Sequence, residues 1–469
     1  MSIRIALPKS KLLDETAAFL EKAGWQLNDY SQSMRNYRLK SVRFPDLLIK
    51  VFQEKDIPIQ VAIGNYDLGI CGLEWIKELT SKYTAAAPVR IRNLGYGKGA
   101  LYIAASSAAI IPSLEKLAKG TEKVRIVSEY PNIAEAFALN LRLRRFGIYP
   151  VWGAAEAYPP ENATLALVAG GPDENMLNNG LKPLRKVLNF SAFLIANRTS
   201  WQKKDLSEIM ATLENVQYEE KRPLLVTNPT PSVQFVPQLI DKDTVRLALP
   251  DGHQQKHTVQ LLNKAGIKVD DYPSPTGNRR PTSNLEGVAI KVIRPQDMPL
   301  QVANDNFDLA ITGIDWVTDH LDLFPSSPVQ PLLDLKLGRV RIVAVVSNDV
   351  PANNIYDFQQ LCNKNSTSIR VASEYVNIAD KYARDNRLGL YRVLPTWGAT
   401  EAFLPEDADL LIENTETGST IARHNLKIID TLFESTAHLI GAKNGEYSAI
   451  KKARIENIIQ LLNKAAGGT

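Results

Sequence analysis

Cysteine is nearly absent from this chain. Cys71 and Cys362 are the only two in 469 residues, which excludes a disulfide framework and a four-cysteine zinc site and points to a reducing cytoplasm as the expected location. Long apolar runs are missing too. No stretch reaches the roughly 18 apolar residues of a membrane-crossing helix, so no membrane partner is expected. The opening MSIRIALPKSKLL has no apolar run of signal-peptide length and reads as a strand entering a helix. An excess of one charge is also lacking: 55 Lys and Arg against 51 Asp and Glu leave a net charge of +4. With no nucleic-acid motif beside it, that balance argues against DNA or RNA as a partner; a local basic pocket for a phosphorylated small molecule stays open. Histidine is scarce. His253 and His257 have the spacing of a metal pair on one helix face, but Gln254 stands where a zincin has its glutamate. His424 and His438 have no obvious third ligand, and no nucleophile-elbow serine motif occurs.

What is present is ordinary soluble composition, 44% hydrophobic and 23% charged, arranged as a repeat. RIALPK at 4–9 returns as RLALPD at 246–251, and IPIQVAIGNYDLGICGLEW at 57–75 as MPLQVANDNFDLAITGIDW at 298–316. SEYPNIA at 128–134 returns as SEYVNIA at 373–379, and VWGAAEAYPPENATLAL at 151–167 as PTWGATEAFLPEDADLLI at 395–412. The order is kept and the offsets stay between 241 and 245 residues. Chance does not produce such a series; it marks an ancestral duplication. The first copy is expected at 1–220 and the second at 243–469. Between them, the proline-rich stretch at 221–242 has little helical period and reads as an extended linker.

Each copy alternates strands with helices. Ile3–Leu7, Leu47–Phe52, Leu68–Cys71, Leu101–Ala104 and Arg125–Val127 are strand candidates. Leu13, Ala17, Leu20 and Ala23 recur at helical spacing behind a possible Ser10 cap and stop at Gly24. The fold class is therefore α/β, with a largely parallel sheet covered by helices. Ligands in such folds sit at the carboxyl ends of strands. Trp75/Trp316 and Trp152/Trp397 repeat between copies and read as core or interface anchors. Glu129 and Glu374 open helices near the expected lobe junction, where an acid also complements the helix dipole.

These segments together resemble the catalytic core of ATP phosphoribosyltransferase. ALPKSKLLDET at 6–16, DIPIQVAIGNYDLGICG at 56–72, LGYGKG at 94–99 and SEYPN at 128–132 fit the family's landmarks in order. ENTETGSTIARHNL at 413–426 resembles its phosphoribosyl-pyrophosphate loop. The resemblance implies two periplasmic-binding-protein-like units in tandem, each with two lobes, mainly parallel sheets and the active site in the cleft. The first copy's lobes would be about 1–98 plus 175–220, and about 99–174. It implies no regulatory domain, since the sequence ends soon after the second copy.

The implied reaction joins N1 of the ATP adenine to C1 of phosphoribosyl pyrophosphate and releases pyrophosphate, with Mg²⁺ carried mainly by substrate. An oxocarbenium-like transition state and a polyanionic leaving group need positioning and charge neutralisation more than a nucleophile. Thr417, Gly418, Ser419 and Thr420 follow an apolar strand and precede a helix-compatible stretch, a setting for a phosphate cradle of amides and hydroxyls. Glu413 at the strand end is placed to accept from ribose hydroxyls, although the family more often has Asp there. Arg294 opens the family-like RPQDMP, and Arg339 and Arg341 lie in GRVRI.

The two copies diverge at these positions. In the first, Pro172, Asp173 and Asn175 replace Thr417, Gly418 and Thr420, and Val168 replaces Glu413. Proline removes an amide donor, and the acids repel phosphate. Conversely, the basic turn with Lys9 and Lys11 becomes Asp251-Gly252-His253 in the second copy, while Gln53 stands in Arg294's place in the first. The expectation is an intramolecular pseudo-dimer with one working site centred on the second copy. Lys9, Lys11, Arg35 or Arg38 would be supplied by the first, and Glu374 is a further substrate-binding candidate. A homo-oligomer or a separate regulatory subunit is a possible partner. The competing reading is a non-catalytic sensor of a phosphorylated ligand, or a regulatory paralogue, on the same frame.

Overall fold

Residues 3–34, 36–110, 113–171, 180–214, 216, 241–275, 277–365, 368–443 and 445–467 are described by a computed structural model. Their contacts divide them into two units. Unit 1 holds the described residues of Met1–Pro150, Leu165–Ser232 and Thr396–Ala402; unit 2 holds Val151–Thr164, Val233–Pro395 and Phe403–Thr469. Each unit thus includes a short segment of the other sequence copy. Apart from 241–242, the expected linker lies outside the described residues. No helix among the described residues is long and apolar enough to cross a membrane.

Every strand expected in the first copy forms. In unit 1 one sheet runs Arg38–Leu39, Leu48–Gln53, Arg4–Lys9, Leu68–Gly72, Ala192–Ala196, Val89–Asn93. A second runs Leu181–Phe190, Gly99–Ser106, Leu165–Gly170, Val124–Ser128, Phe146–Pro150. Unit 2 repeats the plan with Val288–Ile293, Val245–Pro250, Leu309–Gly313, Ala437–Ala442, Val329–Asp334, and with Leu426–Ser435, Val340–Ser347, Leu410–Thr415, Ile369–Ser373, Tyr391–Pro395. The sheets are mixed. In each, helix-linked strands pair in parallel, as Arg4–Lys9 does with Leu48–Gln53 and Leu68–Gly72. Strands that cross between lobes pair antiparallel, as Ala192–Ala196 does with Leu68–Gly72. Strands such as Leu68–Gly72 and Gly99–Ser106 are buried along their whole length, which is why they read as continuous apolar runs.

Two local expectations are corrected. The strand Leu181–Phe190 pairs antiparallel with Gly99–Ser106, so it belongs to the second lobe, and the chain re-enters the first lobe near Ser191 rather than at 175. Ser10 does not cap the following helix; its φ is +80°, and the amide of Leu12 donates instead to Glu54 Oε1 at 3.0 Å. The cap comes from a residue 42 positions away, which no local capping rule anticipates. Gly24 does end the helix, at φ +75°.

The first lobe of each unit is tied by a buried aspartate. Asp308 is fully buried and accepts from the Arg246 amide at 2.8 Å and from Lys451 Nζ at 2.9 Å, and pairs with Arg246 Nη2 at 2.7 Å. This joins the first strand to the helix Ala449–Ala465, which packs Ile455, Ile458 and Leu462 into that lobe's core. Asp67 does the same work in unit 1 with the Arg4 amide, Ser200 and Lys204.

Candidate functional site

In unit 2 five strands or the turns after them converge on one cleft of about 310 Å³. Val245–Pro250 ends at Asp251, Val288–Ile293 at Arg294, and Leu309–Gly313 at the helix carrying Asp315. From the other sheet, Ile369–Ser373 ends at Glu374 and Tyr375, and Leu410–Thr415 contributes Asn414 and leads to Glu416. All of these residues line the cleft. That is where an open α/β sheet presents its ligands, since helix N-termini and strand carboxyl ends face the same side.

A hydrogen-bonded wall joins the two lobes here. Tyr375 donates to Asp315 Oδ2 at 2.6 Å, Ser435 Oγ donates to Asp315 Oδ1 at 2.8 Å, and Asn414 Nδ2 donates to the Tyr375 oxygen at 2.9 Å. Burial first, and the Asp315 carboxylate second, hold the Tyr375 hydroxyl far above its ordinary range, so it stays a donor. Trp316 stacks on Tyr375 with centroids 4.3 Å apart and meets Trp152 at 5.7 Å, so both tryptophans act as anchors within unit 2. Opposite this wall, Asp251 Oδ2 bridges two arginines, Arg279 Nη1 at 2.7 Å and Arg294 Nη1 at 3.3 Å.

Arg294, Arg339 and Glu374 line the unit 2 cleft together. Arg339 pairs with Glu434 at 2.5 Å on an exposed surface, an ion pair worth little by itself. Arg341 and Glu413 lie within strands beside the cleft and are not among its lining residues. Thr417 to Thr420 continue from the lining residue Glu416 into a single helical turn, Ser419–Arg423. Gly418 has φ +79° there, a conformation only glycine takes without strain. The Gly418 amide donates to Thr415 Oγ1 at 2.9 Å and the Ser419 amide to Thr417 Oγ1 at 3.3 Å; the turn is thus shaped by its own hydroxyls and its residues 417, 419 and 420 are exposed.

Lys9, Lys11 and Arg38 belong to unit 1. Lys9 Nζ donates to Tyr37 at 2.9 Å, and burial lowers its pKa while the Glu401 carboxylate opposes that shift. Arg38 is exposed on an edge strand. Lys11 lines a cleft of about 410 Å³ in which Ser10 and Lys11, Gln53 to Lys55, Glu74 and Trp75, Glu129 and Tyr130, Ala169 and Phe190 stand where unit 2 has its own lining residues. Arg35 and the first copy's substituted loop at 172–175 lie outside the described residues.

The unit 1 cleft has acquired different chemistry. Burial pushes Glu74 up to about 8 and Glu54 up to about 7. Glu74 Oε2 has no hydrogen-bond partner. Its counterpart Asp315 uses Ser435, and Phe190 stands in that place in unit 1. Glu129 pairs with Lys55 at 3.3 Å, and Lys55 lies 5.0 Å above the Trp75 ring. Sequence reasoning passed over this acid position. The signal was present, because GLEW and GIDW keep an acid two residues after the strand-ending glycine in both copies.

Among the described residues no group of three or more His, Cys, Asp or Glu is placed to hold a metal ion. In unit 2 the cleft's acids are largely engaged, Asp251 by arginines and Asp315 by hydroxyls.

Comparison with known proteins follows the repeat. The family model described as HisG: ATP phosphoribosyltransferase matches residues 53–216 and again 294–464. The chain is 30% identical over 226 residues to the ATP phosphoribosyltransferase of Pelotomaculum thermopropionicum, covering 47% of this chain and 72% of that protein. It is 31% identical over 229 residues to the one from Prosthecochloris aestuarii, covering 48% and 72%. Among solved structures it is similar to an ATP phosphoribosyl transferase (HisG:HisZ) complex from Thermotoga maritima, at 18% identity and a TM-score of 0.39, over 48% of this chain and 99% of that one.

Proposed function

Because the chain belongs to the ATP phosphoribosyltransferase family, we propose that it condenses ATP with phosphoribosyl pyrophosphate to N1-(5-phosphoribosyl)-ATP and pyrophosphate, the opening step of histidine biosynthesis, and that unit 2 holds the working site. The observation that carries this reading is the continuity of one strand. Leu410–Thr415 contributes Asn414 to the cleft wall and passes through Glu416 directly into the Thr417–Thr420 turn with its left-handed Gly418.

In this reading the 5′-phosphate rests on the amides and hydroxyls of 417–420, with Glu413, in the strand beside the cleft, as the acid for the ribose. Arg294 and Arg339 face the pyrophosphate and neutralise the charge that develops as the C1–O bond breaks, leaving N1 of adenine to attack C1. Their guanidinium geometry suits a phosphate better than lysine would. The Asp315–Tyr375–Asn414 network holds the two cleft walls in register. Mg²⁺ enters in this reading carried mainly by phosphoribosyl pyrophosphate. The cleft of unit 1 lacks an arginine in Arg294's place and is not assigned turnover. The cytoplasm is the proposed compartment.

The test is an assay of the purified chain with ATP, phosphoribosyl pyrophosphate and Mg²⁺, following nucleotide product and pyrophosphate. Gly418→Val should abolish turnover, and altering Pro172 to Asn175 should leave it intact. Equal losses would reject the asymmetry between copies. Binding of phosphoribosyl pyrophosphate without turnover would establish the sensor reading instead.

A further inference from the structure

The segment Val151–Thr164 comes from the first sequence copy but belongs to unit 2; its later residues bind Arg280 and Lys291, and its first residues meet the turn that carries Arg294. The Trp152 amide donates to both oxygens of Asp297, at 3.0 and 3.2 Å. The Asp297 amide in turn donates to the Arg294 carbonyl at 3.0 Å. The segment is therefore pinned to the same tight turn from which the Arg294 side chain departs.

Gly153 follows immediately. A Cβ built on it would lie 3.0 Å from Arg294 Nε, 3.6 Å from Cγ and 3.7 Å from Nη2. The Arg294 side chain thus lies along the Gly153 backbone. Gly153 is not in the left-handed region, so space, not backbone conformation, is what its missing side chain supplies. Three residues on, Glu156 Oε1 stands 3.5 Å from Arg279 Nε, as an ion pair without hydrogen-bond geometry. Arg279 holds Asp251 at 2.7 Å, and the same Asp251 oxygen faces Arg294 Nη1 at 3.3 Å. Arg294 is consequently held from two sides, by a bare backbone and by a Glu–Arg–Asp relay, and both begin in this segment. All four charged groups are at least half covered by protein, where ion pairs are screened less than on the surface.

We infer that Gly153 and Glu156 are positioning residues for Arg294, so that a segment of the first sequence copy sets how the unit 2 cleft receives pyrophosphate. The inference rests on the functional reading above and deepens it: the degenerate copy is retained because the working site is incomplete without residues 151–164. It also accounts for the Asp251 substitution. The basic first turn of copy one became acidic in copy two because an acid there joins Arg279 to Arg294. In unit 1, Gln53 occupies the Arg294 position and there is no guanidinium to aim.

The experiment uses the full chain. Gly153→Ala and Gly153→Val are compared with wild type, Glu156→Gln and Arg294→Ala for kcat, for KM of each substrate, and for binding of inorganic pyrophosphate by calorimetry. Because the obstructing atoms belong to the mobile end of an arginine, Gly153→Ala should keep the wild-type unfolding transition. Its pyrophosphate affinity should fall about tenfold, with KM for phosphoribosyl pyrophosphate rising alike and KM for ATP unchanged. Glu156→Gln should show a smaller loss of the same kind. In the Arg294→Ala background, Gly153→Ala should have no further effect, since residues acting through one another are not additive. Full additivity there, or a wild-type pyrophosphate affinity in Gly153→Ala, would overturn the inference while leaving the functional reading standing. A wild-type chain that neither binds pyrophosphate nor turns over would sink the functional reading itself.

Discussion

Raising the pH from 5 to 8.5 should destabilise unit 1, and Glu74 should account for most of the loss. Its carboxyl sits in the first turn of the helix Leu73–Lys82, buried, with one oxygen unpartnered. Burial pushes it up to about 8 from an ordinary 4.5. An acid whose pKa is higher in the folded chain is protonated by folding. The stability it contributes is complete below the unfolded value and disappears as pH rises through the folded one. The interval from 4.5 to about 8 spans 3.5 pH units, and each unit corresponds to about 1.4 kcal/mol, so the loss is on the order of 5 kcal/mol. Glu54, raised to about 7 by burial, adds to it; the two carboxylates repel one another and titrate as a pair, so their losses are not a simple sum. Hydrogen exchange of the Leu68–Gly72 amides, measured across this pH range after correction for intrinsic rates, reads the effect within unit 1. Glu74→Gln removes the titration and should flatten the profile between pH 5 and 8. Parallel profiles for wild type and Glu74→Gln would refute the assignment.

Four further outcomes are expected, the first three read as denaturant midpoints and the fourth by titrating the Glu74 carboxyl. Glu161→Ala strips the counter-ion from two buried cations, Lys291 at 2.9 Å and Arg280 at 3.0 Å, and should cost unit 2 about 3–5 kcal/mol. Asp308→Ala leaves Arg246 and Lys451 without their shared carboxylate and should cost a similar amount, about 3–5 kcal/mol, releasing the helix Ala449–Ala465 first in proteolysis. Ser435→Ala removes one hydroxyl donor from the buried Asp315 and should cost about 1–3 kcal/mol. The complementary change Phe190→Ser should lower the Glu74 pKa by restoring a hydroxyl beside it.

The amino-acid sequence by itself determined the duplication, the α/β class, the order of the strands and the divergence between copies. Those features are written locally, in apolar runs of strand length and in residue types that recur at a constant offset. It also pointed to Arg294, Glu374 and the Gly418 turn, because strand ends and glycine turns leave legible marks. What it did not reveal was which groups meet. Leu12 is capped by Glu54, Asp315 is satisfied by Tyr375 and Ser435, and nothing in their spacing announces either pairing. Tertiary structure alone decided that Glu74 would be buried with one carboxyl oxygen unpartnered, since its pKa depends mainly on the solvent removed around it. It also decided that residues 151–164 would join the unit built mainly from the second copy. Segment ownership is settled by the fit of side chains such as Trp152 on Trp316 and Glu161 on Lys291, and a periodic sequence, which offers each segment two nearly equivalent places to dock, does not specify which one it takes.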